Sequence, residues 1–149
     1  MAILFYSSSD QWAFLSNFSR HGFELDDAYW MTVEHYFQAA KFFPTDPEHA
    51  EAIRVAATPK QAKTLGRSRR HPLRADWEAV KDDIMRSAVR AKFVTHLEIR
   101  NRLLATGDER LVENAPMDYY WGCGRSGAGL NRLGEILMEL RDELARDVA

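Results

Sequence analysis

Thr32-Val33-Glu34-His35-Tyr36-Phe37-Gln38-Ala39-Ala40-Lys41-Phe42 is the stretch at which this chain turns from short strands to helices. At about 100° per residue, Val33, Tyr36, Phe37 and Ala40 gather into an apolar stripe, with Glu34, Gln38 and Lys41 in a polar stripe beside it. Glu34 and Lys41 are seven residues apart, about 10 Å along a helix axis, so a carboxylate and an amine can both reach a ligand between them. By spacing alone the polar stripe is expected to be the solvated side of an ordinary amphipathic helix, because charged helix faces are usually wet. The same three side chains form the first candidate site.

Upstream, residues 3 to 31 read as short strands and turns. Ile3-Leu4-Phe5-Tyr6 is a strand, Ser7-Ser8-Ser9-Asp10 a loop, and Phe23-Glu24-Leu25 and Tyr29-Trp30 flank an Asp26-Asp27 turn. Downstream, capping chemistry marks the helices. Asp46-Pro47 starts one over 47 to 57, and Thr58-Pro59 starts another that ends before Gly66. Asp76 caps a longer helix from Trp77 to about Phe93, and a further helix runs from about His96 to Leu104. Leu111-Val112 is a candidate strand, and Asn131 caps a last helix with Leu133, Leu137, Leu140 and Leu144 in one stripe. The expected fold is a single helix-rich α+β domain over residues 1–149, with short N-terminal strands followed by several α-helices.

The composition fits that reading, since 149 residues of 46% hydrophobic content suit one domain with a sizeable core. A net charge of −2 gives no global electrostatic reason for tight, non-specific nucleic-acid binding. The one cysteine, Cys123, excludes an intrachain disulfide and a cysteine-rich zinc site. The five histidines form no HExxH or comparable pattern, so no metal is expected. The N-terminus lacks a basic, apolar leader, and no segment approaches the about 20 apolar residues that span a bilayer, so the expectation is a cytoplasmic protein without membrane contact. No coiled-coil heptad specifies an oligomer.

Three stretches could carry chemistry. Gly122-Cys123-Gly124-Arg125-Ser126-Gly127 matches the spacing of a dinucleotide-binding loop, but only one helix follows it, so no βαβ unit can be completed and no dinucleotide cofactor is expected. What remains is a backbone that can approach a ligand closely at Gly122 and Gly124, and free N–H groups at the start of the Asn131 helix for a phosphate. Just upstream, Asp118-Tyr119-Tyr120-Trp121 sets a carboxylate beside aromatic surface, which suits a planar base next to a sugar that develops positive charge, or ordinary core packing. Arg67-Ser68-Arg69-Arg70-His71-Pro72-Leu73-Arg74 follows a helix end, where cations are favourable and normally solvated; it could also bind phosphate.

The order of the blocks is more specific than any one of them. Phe14-Leu15-Ser16-Asn17-Phe18, Trp30 through Phe42, Leu65-Gly66-Arg67, Asp76-Trp77, Leu103 through Gly107, Asp118 with Trp121-Gly122-Cys123-Gly124, and Gly129 through Gly134 together resemble the NADAR family, also called YbiA-like proteins. The resemblance covers nearly the whole chain and implies the YbiA-like fold and cleavage of a ribosyl C–N bond. It implies Glu34, Lys41 and Asp118 as catalytic groups. Asn17, Gln38, Arg67, Trp77, Trp121, Gly122, Gly124 and Asn131 are the expected substrate-binding positions. The implied substrate is a small phosphoribosyl compound, above all a phosphoribosylamino-pyrimidine of riboflavin biosynthesis. Two alternatives are release of ADP-ribose from guanine, with nucleic acid entering only as ADP-ribosylated substrate, and a non-catalytic ADP-ribose or NAD-binding module. In the catalytic readings the two carboxylates divide acid and charge-stabilising roles. Lys41 is either a phosphate anchor or an amine that attacks C1.

Overall fold

The computed structural model describes residues 2–6 and 11–148, so the expected Ser7-Ser8-Ser9-Asp10 loop lies outside the described residues. Among these, the order is β1 (Ala2–Phe5), a 3₁₀ turn at Ala13–Leu15, β2 (Phe23–Leu25), β3 (Ala28–Trp30), α1 (Val33–Ala40), α2 (Pro47–Arg54), α3 (Pro59–Gly66), α4 (Trp77–Thr95), α5 (Leu97–Ala105), β4 (Arg110–Glu113) and α6 (Arg132–Val148). This is the helix-rich α+β architecture expected from the sequence. The chain divides into two compact units, Arg20–Lys92 on the one hand, and the segment up to Ser19 with the segment from Phe93 onward on the other.

In the Arg20–Lys92 unit, β2 and β3 pair antiparallel, Phe23 opposite Trp30, across a two-residue turn. Asp26 and Asp27 both have positive φ, 54° and 62°, the mirror-image turn that matches strand twist and that Asp tolerates better than most residues. Tyr36 Oη donates to Asp26 Oδ2 at 2.5 Å, which ties the turn to α1. Trp30, Tyr36 and Phe43 pack edge to face or tilted, with centroids 5.0 to 6.0 Å apart, the arrangement that aromatic quadrupoles favour.

Thr32 caps α1 as its chemistry predicts, its Oγ1 accepting from His35 N at 3.1 Å. The imidazole of His35 bridges the start of the helix to the end of α2, Nδ1 accepting from Thr32 Oγ1 at 2.8 Å and Nε2 donating to Ala56 O at 3.0 Å. Burial holds its pKa below the usual histidine range, so the neutral ring acts as a structural strut. Asp46 and Thr58 cap α2 and α3 through His49 N and Gln61 N, each with proline at the first turn. Two boundaries differ from expectation. α2 stops at Arg54, and α3 runs through Gly66 rather than ending before it. Asp76 also departs in part: its carbonyl accepts from Ala79 N and Val80 N, but its carboxylate pairs with Arg74 Nε at 2.7 Å instead of capping α4.

In the other unit, β1 and β4 pair in parallel, Ala2 with Arg110 through Phe5 with Glu113. Helix α6 packs on β4 and α5 and buries Leu133, Ile136, Leu137, Leu140 and Leu144, the stripe read from its periodicity with Ile136 added. Asn131 is not the side-chain cap expected. It stands at φ 52° and sends its amide to β4, accepting from Glu113 N at 2.9 Å and donating to Leu111 O at 2.9 Å. The buried amide thus extends the sheet edge as a third strand would. Asn131→Ala should lower unfolding free energy by about 2–4 kcal/mol, because it orphans two backbone groups. Urea titration checks this, and a loss below about 0.5 kcal/mol would show that the amide does not hold β4.

Candidate active site

The polar stripe of α1 is not wet. Every residue from Val33 to Ala40 is buried, Glu34 at 7% and Gln38 at 4% exposure, because α1 has α2, α3 and β3 packed around it. The expectation of a solvated face fails here, since period 3.6 identifies two faces but not what covers the second. On the covered face, Gln38 Nε2 donates to Glu34 Oε2 at 2.7 Å. Lys41 closes the helix as its C-cap residue and reaches Gly66 O, the last carbonyl of α3, at 3.4 Å. Its ammonium lies 5.8 Å from the centroid of Phe37 and 5.9 Å from that of Trp77. Those rings are tilted together at 5.1 Å, a wall that removes water from one side of the amine.

Burial pushes the Glu34 carboxyl above its ordinary value, opposed by the Gln38 hydrogen bond and by the charges of Lys63, Lys41 and Arg67. Burial likewise pulls Lys41 below the usual ammonium value, opposed by Glu34 and reinforced by Arg67 and Lys63. Desolvation therefore outweighs attraction on both partners, and each is drawn toward its neutral form. The helix thus carries a carboxyl drawn toward its protonated form and, at its end, an amine drawn toward its neutral form.

The Arg20–Lys92 unit thus brings together Glu34, Gln38, Lys41 and Trp77 of the expected site, with the exposed Arg67 at the end of α3 contributing its charge. Three contributors escaped sequence reasoning: Lys63, Phe37 and Gly66. Lys63 and Arg67 stand four residues apart on α3, a spacing that places both on one face and could have revealed them together. Phe37 had been assigned only to packing. In the basic run, His71 Nδ1 donates to Asp46 Oδ2 at 2.6 Å and Arg74 to Ala40 O at 3.1 Å. These side chains are spent on holding helix ends.

The other unit contains Asn17, Asp118, Trp121, Gly122, Gly124 and Asn131. Asn17 and Trp121 are half-buried, and Trp121 meets Tyr120 edge to face at 4.8 Å. Asp118 Oδ1 accepts from Tyr120 N at 2.9 Å and Trp121 N at 2.8 Å, which fixes one oxygen in an Asx turn. The glycine loop does not offer its backbone as expected. Cβ atoms on Gly122 and Gly124 would meet Glu113 O at 2.9 Å and the Tyr119 ring at 2.3 Å, so both glycines admit protein neighbours. At the start of α6, four successive donors are already taken. Leu130, Asn131, Arg132 and Leu133 N–H groups donate to Tyr119, Gly122, Tyr120 and Trp121 carbonyls at 2.9 to 3.1 Å. The aromatic loop caps the helix through its backbone.

Among the described residues no group of three or more His, Cys, Asp or Glu side chains could hold a metal ion, and no helix is long and apolar enough to cross a membrane.

A buried carboxyl on one helix and a half-buried lysine at its end, with the remaining blocks in family order, define the class. The family model described as the NADAR domain matches residues 4–145, and this chain belongs to that family. An N-glycosidase of Nostoc punctiforme is 52% identical over 145 residues, covering 97% of this chain and 93% of its own. The Escherichia coli N-glycosidase YbiA is 50% identical over 143 residues, 96% of this chain and 88% of its own. The NMR structure of E. coli YbiA matches with a TM-score of 0.90 at 49% identity, over 98% of this chain and 86% of the other. A chloroplastic riboflavin biosynthesis protein of Zea mays is 41% identical over 155 residues, 95% of this chain but 25% of that longer protein.

Proposed function

We propose that this chain hydrolyses the ribosyl C–N bond of a phosphoribosylamino-pyrimidine intermediate of riboflavin biosynthesis. The enzyme is a hydrolase of N-glycosidic bonds, as are relatives at about half identity over nearly their whole length. The observation that carries the mechanism is the buried Glu34–Gln38 pair of α1 with Lys41 half-buried at the end of the helix. Breaking the bond develops oxocarbenium character at C1 and negative charge on the departing nitrogen. Glu34, drawn toward its protonated form, donates the proton to that nitrogen. Lys41, drawn toward its neutral form, suits an amine that attacks C1 better than a phosphate anchor. The C1–N bond to the base breaks as the C1–Nζ bond forms; the ring opens to an iminium, and water then hydrolyses it to release the sugar phosphate and restore the amine. Arg67, exposed and permanently charged, is the phosphate anchor, and Trp77 the aromatic wall. Asp118 is the second carboxylate that the family resemblance implies.

The riboflavin assignment draws on the name of the maize relative, and the near-neutral net charge favours a small substrate over a nucleic acid. Incubation with phosphoribosylamino-pyrimidine, ADP-ribosylated guanosine and ADP-ribosylated DNA, with released base followed by mass spectrometry, tests the reading. Release from the pyrimidine substrate is expected. Release only from the guanine substrates would keep the bond class and overturn the substrate. Release from none, with tight ADP-ribose binding, would leave a binding module.

A further inference from the structure

Gly66 is helical and its φ lies outside the positive region, so its backbone conformation does not require glycine, and alanine is the better helix former. Contact is what requires it. A Cβ there would stand 2.0 Å from Gln38 Oε1 and 2.7 Å from both Gln38 Cβ and Cδ. The amide of Gln38 therefore lies directly against the α3 backbone, with its Oε1 buried and without a hydrogen-bond donor. Leaving an amide oxygen in that state is costly, and the compensation is the other end of the group, whose Nε2 donates to Glu34. The same residue's carbonyl accepts from Lys41 Nζ. One glycine thus touches the holder of the carboxyl with its Cα and the amine with its oxygen.

We infer that Gly66 is a positioning residue for the reaction: its missing side chain lets Gln38 hold Glu34, and its carbonyl orients Lys41. This rests on the assignment of Glu34 and Lys41 to the chemistry. Gly66→Ala pushes Gln38 away, removes a donor that favours the carboxylate, and so raises the Glu34 titration midpoint by about one pH unit. Turnover falls at least about tenfold, and the alkaline limb of the rate profile, where Glu34 loses the proton it donates, moves with the midpoint.

The test is a ¹³C NMR titration of the Glu34 side-chain carboxyl, with kcat against pH, in wild type, Gly66→Ala, Gln38→Gly and the double variant. Gln38→Gly, which also removes the donor to Glu34, should reproduce the raised midpoint. In its background Gly66→Ala should add nothing, because only removal of the whole Gln38 side chain, Cβ included, leaves room for the new methyl. If Gly66→Ala alone fails to fold while the double variant folds, the clash is with Gln38 and the inference stands. An unchanged Glu34 midpoint in folded Gly66→Ala, or an equal effect of Gly66→Ala with and without Gln38, overturns it. Near-normal turnover of Glu34→Gln would instead remove the underlying reading, while the titration would still report on Gly66.

Discussion

Glu34→Gln lowers kcat by about 100-fold or more, while the fold is kept and stabilised at neutral pH. The amide preserves shape and still accepts from Gln38, but it can neither donate an acid proton to the leaving nitrogen nor carry charge near C1. The stability gain has a defined sign. Burial raises the carboxyl above its ordinary value of 4.5, so over the window above that value the native state keeps a proton that the unfolded chain releases. Stability conferred by the neutral form is therefore lost as pH rises through the raised pKa. The variant lacks this loss, and its advantage should be small near about pH 4 and larger near about pH 7 to 8 in thermal melts. Near-normal turnover would take Glu34 out of the mechanism, and a pH-independent stability difference would take the desolvated charge out of the account.

Lys41→Ala should reduce kcat at least about 1,000-fold and abolish an adduct that borohydride traps on the wild-type enzyme during turnover. Lys41→Arg separates the two roles open to this residue. Guanidinium keeps the positive charge, so an anchoring role would be largely rescued, but it cannot attack C1 or form an iminium. Loss of both adduct and turnover in the arginine variant is the expected result. An active arginine variant, together with no wild-type adduct, would make Lys41 an anchor and leave water to attack directly. The lowered lysine pKa, caused first by burial, predicts that the basic rise in rate falls below the ordinary ammonium value of 10.5.

Much of the fold was legible from punctuation. Asp46-Pro47 and Thr58-Pro59 marked α2 and α3 because a side-chain cap and a proline act within one turn, on atoms a few residues apart. The leucine stripe of α6 was legible because it repeats at the helical period. The parallel partnership of β1 with β4 was not, since Ala2 and Arg110 meet across most of the chain and nothing local encodes that register. The glycine loop shows how a local pattern misleads. Its spacing suits phosphate binding, yet the carbonyls of Tyr119 to Gly122 already take the Leu130 to Leu133 donors at the start of α6.

For the candidate site, the residue types, their helical spacing and the order of the family blocks came from the sequence alone, because each is a property of neighbouring residues or of the chain read in line. That Glu34 is buried and Lys41 half-buried, that both are drawn toward neutrality, and that Gly66 lies against Gln38, only the tertiary structure decided. Desolvation depends on every atom packed around a group, and those atoms come from α2, α3 and β3 rather than from α1.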